Sequence, residues 1–304
     1  MAHAIGFVDN TGTEGLAHWQ MLLLIKTTAE ANGWTTLRYL NPTDGGNREL
    51  ILKGVGLSGT EEIYIGFRAY HSATADYYNM TVAAFTGYVS ANVFTSQPGY
   101  FERGVCAHNQ RIDYWLAVNA QRIFFGLKVG SPSVYEIAYA GKFYPYATPE
   151  QYPYPMALFG TLPNATPATR YSDVSSTHGT GARGANIRDS DAALLAPGNG
   201  YLRDLLGNWV MFGCLPWMAN TNNAATIRRD TGGYYQALKS VLYTGVANNP
   251  GTTGNVWGEL DGIRYISGFN NVGENTATIG GNLNVMLGDV FRTGIGDFFL
   301  LEMN

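Results

Sequence analysis

The sequence predicts a mainly β protein of antiparallel, sandwich-like sheets with one amino-terminal α-helix. Three observations predict it. Short runs of aromatic and β-branched residues are broken repeatedly by Gly, Pro, Asn or Asp. Only one segment carries the apolar period of a helix. The pairs Asn119-Ala120, Asp261-Gly262 and Gly280-Gly281 each stand between apolar runs, as hairpin turns do.

The helix comes first. Leu16, Trp19 and Leu23 share one face, Leu22, Ile25 and Ala29 widen it, Thr13 supplies an N-cap and Asn32-Gly33 a left-handed stop. Strands are then expected over 34–40, 49–53, 62–70 and 77–88, with the loop NPTDGGN between the first two. In RIDYWLAVNAQRIFFGLKV, Asn119-Ala120 turns one apolar run onto another. Residues 144–155, YPYATPEQYPYP, interleave prolines with tyrosines; proline lacks an amide donor, so this is read as an extended surface segment, either a linker or an arm that grips a neighbour. The stretch 161–199 is polar and reads as an elaborated loop. Strands resume over 209–212, 234–242, 257–260 and 263–266, the last two joined through Asp261-Gly262, and over 276–279 and 283–287 joined through Gly280-Gly281. The apolar ending FFLLEMN is expected to be tied down, in its own sheet or against a partner. The division expected is a helix-plus-β domain over 1–155 and a second β lobe over 156–304.

Composition narrows the function. Charged residues make up 14% of the 304, and glycine reaches 38. A surface so poor in charge is built from Asn, Thr, Ser, Tyr and Gly, as in secreted β proteins and in subunits whose surface is covered in a large assembly, an isolated Gly-rich β protein being the alternative. A net charge of -4 and no basic run beyond Arg228-Arg229 argue against nucleic-acid binding. Cys106 and Cys214 have no metal-ligand spacing and are read as free, buried thiols, with a single bridge between them the alternative. The start MAHAIGFVDN has no positively charged region, and the longest apolar run, Met21 to Ile25, falls far short of the ~20 residues a spanning helix needs. A chain made in a cytoplasm, with no membrane insertion, is expected.

Motifs for chemistry are weak. Gly54 to Gly59 match GxGxxG, but a strand follows instead of a helix, so they are read as a β connection with positive φ angles and no nucleotide cofactor is expected. His3, His18, His71, His108 and His178 show no metal-binding spacing, and His108 with Cys106 and Asp113 is a poor match to a nucleophile and base. Asp76 and Glu136, each beside tyrosine, are read as turn caps before sugar-facing acids. No catalytic, cofactor-binding or metal residue is assigned. Tyrosine is favoured where one face is buried and the hydroxyl stays wet, so Tyr144, Tyr146, Tyr152 and Tyr154, with Phe298 and Phe299 of the ending, are the interface candidates. Tyr64, Phe67 and Trp115 are read as core.

The segments ELILKGVGLSGTEEIYIGFRAY, YWLAVNAQRIFFGLKV followed by PYATPEQYPYP, and LDGIRYISGFNNVGENTATIGGNLNVMLGDVFRTG resemble a family of tailed-bacteriophage virion structural proteins, encoded among tail and baseplate genes. The resemblance implies a non-enzymatic particle subunit of the tail tip or baseplate, made in the bacterial host cytoplasm and located in the virion. Its partners would be other virion proteins and further copies about a three-fold or six-fold axis. Alternatives are a receptor- or glycan-binding module that contacts the host surface, a glycan-cleaving enzyme, and a capsid-associated subunit. Exposed Trp and Tyr lining a groove would favour the binding module.

Overall fold

The computed structural model describes residues 2–40, 47–129, 134–160, 167–168, 200–215, 237–244, 255–267, 273–288 and 297–303. The expected loop at 41–46, the polar stretch 161–199 apart from 167–168, His178, Arg228 and Arg229 lie outside them.

The chain opens with a strand that the sequence reading did not include, β1 (Ala2–Asp9), and the expected helix, α1 (Ala17–Glu30). A five-stranded antiparallel sheet follows in simple order: β2 (Thr35–Leu40), β3 (Arg48–Gly54), β4 (Ile63–Ser72), β5 (Tyr77–Phe85) and β6 (Phe101–Cys106). The next strands are β7 (Arg111–Val118), β8 (Arg122–Val129), β9 (Val134–Lys142), β10 (Tyr144–Pro145), β11 (Met156–Phe159), β12 (Tyr201–Arg203) and β13 (Trp209–Met211). All but β10 join β1 in a middle sheet of order β1-β7-β8-β9-β11-β12-β13. The third sheet has the order β14 (Gly213–Leu215), β15 (Leu238–Thr244), β16 (Asn255–Ser267), β19 (Asp297–Glu302), β18 (Asn282–Gly288), β17 (Thr276–Ile279), with β10 paired to β16.

The layers stack as a three-sheet sandwich because the middle sheet is apolar on both faces. Leu116, Val118, Ile123, Phe125 and Leu127 point into a core shared with α1 and the first sheet, where Leu52, Ile65, Phe67 and Val82 meet them. Trp115, Ala117, Phe124, Ile137 and Tyr139 point the other way, against Leu260, Tyr265, Leu287 and Phe299 of the third sheet. The run IFFGL therefore needs no alternation with polar residues. The expected domain boundary after residue 155 falls inside this middle sheet: β9 and β11, on either side of it, pair from Met156 with Lys142 to Phe159 with Tyr139.

Local signals held in some places and yielded in others. Gly280 and Gly281, with φ of 60° and 86°, close the β17–β18 hairpin as expected. Asn119 also turns β7 onto β8, its Oδ1 accepting from the amides of Gln121 and Arg122 at 3.0 and 2.9 Å. The Thr13 cap is not made. Leu16 is the N-cap without a side-chain bond, and the amides of Ala17 and His18 donate instead to the carbonyls of Asn109 and His108, both at 3.1 Å. The fully buried helix face is Ala17, His18, Met21, Leu22, Ile25 and Ala29, rotated away from Trp19 and Leu23. Asp261-Gly262 is no hairpin: β16 continues through it as one long strand, with a bulge in its pairing to β15.

Candidate interaction surfaces

The tyrosine-proline segment is neither a linker nor a detached arm. Tyr144 and Pro145 pair with Glu259 and Gly258, the Tyr146 amide donates to the Trp257 carbonyl at 2.9 Å, and the Phe143 amide donates to the Pro155 carbonyl at 3.0 Å. The strand pairing and the Tyr146 bond lash the segment to the third sheet, and the Phe143 bond draws its two ends together. Within it the tyrosines divide. Tyr152 is 2% exposed, packs on Phe143 and Trp257 with ring centroids 5.8 and 5.4 Å apart, and donates its hydroxyl to the Arg203 carbonyl. It belongs to the chain's own core, which corrects its reading as an interface residue. Tyr144, Tyr146 and Tyr154 stay on the surface at 45%, 57% and 55% exposure. The Tyr146 hydroxyl donates to Glu259 Oε1 at 2.9 Å, and burial followed by the Asp261 carboxylate pushes the Tyr144 hydroxyl up to about 12.

The carboxyl-terminal candidates also change role. Phe299 has no exposed surface and sits in the second core, so it offers nothing to a partner; its strand lies between β16 and β18 in the third sheet. Phe298 is half-buried on the outer face, against Ile266, Met286 and Leu300. Tethering in its own sheet is thus the outcome for the apolar ending. Cys106 and Cys214 are buried and form no disulfide. Phe67 and Trp115 are core, while Tyr64 is half-buried.

Residues that the sequence reading passed over complete the surface. Leu205 and Leu206, 60% and 86% exposed, stand on a tight turn between β12 and β13. Asp204 holds that turn, its Oδ1 accepting from the amides of Leu206 and Asn208 at 2.9 and 2.8 Å. On the far edge of the middle sheet, Ile5 and Phe7 of β1 are 47% and 53% exposed, with the Arg111 guanidinium 4.1 Å over the Phe7 ring. The weak alternation along AHAIGFVD is the signal that could have marked the strand.

A cleft of about 390 Å³ opens beside Tyr154, lined also by Glu61, Glu62, Tyr64, Lys142 and Arg203. Lys142 Nζ sits 2.7 Å from Glu61 Oε2, and Lys53 bonds Glu62, whose carboxyl it holds below its ordinary value. The Arg203 guanidinium lies 5.6 Å from the Tyr154 ring centroid. Gly56 and Gly59 of the GxGxxG match shape the loop behind Glu61 with φ of 65° and 78°, as a β connection. Among the other sequence candidates, His18 and His71 come together, their ring centroids 6.3 Å apart. His108 Nδ1 accepts from the Gln110 amide at 3.0 Å, Asp113 pairs with Arg111 at 2.8 Å, Asp76 occupies the β4–β5 turn at φ 50°, and Glu136 is buried in β9.

Among the described residues no helix is long and apolar enough to cross a membrane. Compared with known proteins, the chain matches no family model and no curated protein.

Proposed function

We propose that this chain is a structural subunit of a tailed-bacteriophage virion, placed in the tail tip or baseplate and acting through protein–protein contacts. The observation that carries the reading is where the exposed apolar side chains stand. Both cores are closed within the sandwich, yet Ile5, Phe7, Tyr144, Tyr146, Tyr154, Leu205 and Leu206 remain outside on strands and hydrogen-bonded turns. Apolar groups held on rigid elements are surface that a fixed neighbour removes from water. The resemblance of the three quoted segments supplies the setting, and with it the expected partners: other virion proteins and further copies about a three-fold or six-fold axis. Immunogold labelling of whole particles tests this. Label at the tail end supports the reading, and particles that carry none of the chain overturn it.

The cleft favours a second reading, a glycan- or receptor-binding module. Tyr64 and Tyr154 line it beside carboxylates and a guanidinium, which is the mixture of ring faces and planar polar groups that orients a polar ligand. A glycan array probed with the wild type and with Tyr154→Ala decides it, since specific binding must weaken in the variant.

A further inference from the structure

The outermost strand of the middle sheet carries a face that complements itself. We propose that β1 pairs antiparallel with β1 of a second copy of this chain, fusing two middle sheets across a two-fold axis at Gly6. The inference rests on the assembly reading for its setting and names the partner and the contact, a two-fold contact separate from any three-fold or six-fold arrangement of copies.

Edge strands are normally blunted, because a row of unpaired amides and carbonyls invites another strand. The other outer strands show such devices. β13 and β14 are three residues long, β17 is four, β2 carries a register shift between Thr36 and Arg38, and β6 contains Glu102 and Arg103. By contrast β1 is eight residues long, contains no Lys, Arg or Pro, and pairs with β7 without interruption from Ala2 with Val118 to Asp9 with Arg111. Among the described residues no strand pairs with its other side.

Its side chains specify the register. Ala4 and Val8 turn inward to the first core, leaving His3, Ile5, Phe7 and Asp9 along the opposite face. With Gly6 opposite Gly6 of the second copy, Ile5 stands opposite Phe7 and His3 opposite Asp9, each pair occurring twice. Aromatic–β-branched pairs are among those that stabilise antiparallel neighbours, and a carboxylate can accept a hydrogen bond from an imidazole N–H opposite it. Sliding by two residues to set Ile5 on Ile5 places His3 against Phe7 and loses the His3–Asp9 pair.

Light scattering on the full chain tests the proposal, with the expected mass twice the 33.1 kDa of one chain. Ile5→Lys and Phe7→Lys, both at exposed positions, should return a monomer that still unfolds cooperatively. Mixing Ile5→Cys protein with Phe7→Cys protein should give a disulfide-linked heterodimer faster than either variant links to itself, as the register demands. A monomer at tens of micromolar, or an oligomer that both Lys variants leave intact, overturns the pairing. A dimer that never enters particles would instead sink the virion reading, whereas a monomer found at the tail would sink only the pairing.

Discussion

Asp261 Oδ2 accepts a hydrogen bond from Gln121 Nε2 at 2.7 Å, joining side chains 140 positions apart in a buried polar knot between the middle and third sheets. Asn119 Nδ2 donates to the same oxygen at 2.8 Å, and Arg122 Nε lies 3.5 Å from it. The knot exists because β16 bulges there. β15 pairs Lys239 with Arg264 and Val241 with Glu259, so Leu260 to Ile263 loop out opposite Ser240, whose hydroxyl donates to the Ile263 carbonyl at 2.8 Å. Trp34 Nε1 donates to the Asn119 carbonyl at 2.7 Å and extends the tie to the first sheet.

Asp261→Ala should destabilise the fold by about 3–5 kcal/mol, because it removes the carboxylate that faces the fully buried Arg122 guanidinium. Urea unfolding measures it. Adding Arg122→Met should recover part of the loss; a double variant as unstable as the single one would show that the charge pair is not its source.

Gly262→Ala should cost more than Gly280→Ala. Both residues have positive φ, at 77° and 60°, but a Cβ on Gly262 would fall 2.5 Å from Arg122 Nη2, whereas Gly280 has open space around it. The left-handed backbone alone accounts for about 1 kcal/mol in each. Equal melting temperatures for the two variants would refute the steric contribution.

The two tyrosines flanking Pro153 should behave oppositely. Tyr152→Ala removes a core ring and should lower stability by about 3–5 kcal/mol. Tyr154→Ala should change it by less than about 0.5 kcal/mol while weakening assembly into particles. Thermal unfolding read beside particle yield separates the two effects.

Stability should fall on mild acidification. His18 is fully buried with neither ring nitrogen hydrogen-bonded, and burial, then His71 and His108, push it down to about 3. Between roughly pH 6.5 and 3 the unfolded chain holds a proton on this residue that the native state refuses, so stability drops as pH falls, by about 1.4 kcal/mol per unit at the steepest. His71, lowered by burial and by Arg48, adds to the same slope. His18→Leu should flatten the loss between pH 6.5 and 5, where ordinary carboxylates are still ionised; an unchanged slope in denaturant midpoints would rule His18 out as its origin.

Short-range patterns determined by themselves the β class, the single helix with its Asn32-Gly33 stop, most strand positions and the Gly280-Gly281 hairpin. Each rests on backbone preferences and apolar periods that neighbours in sequence carry. The tertiary structure decided what those preferences leave open. Asp-Gly permits a left-handed φ in a hairpin and in a bulge alike, and the pairing of β16 with β15 and β19 selected the bulge. Tyr152 and Tyr154 have nearly the same local context, and only Phe143, Trp257 and the Arg203 carbonyl made one of them core. The weak alternation of AHAIGFVD became a strand because β7 lay beside it, and the middle sheet drew strands from both sides of residue 155 because each supplied an edge the other could pair. Burial and strand partnership depend on residues distant in sequence, more than a hundred positions away for β1 with β7 and for Tyr152 with Trp257, which no local window contains.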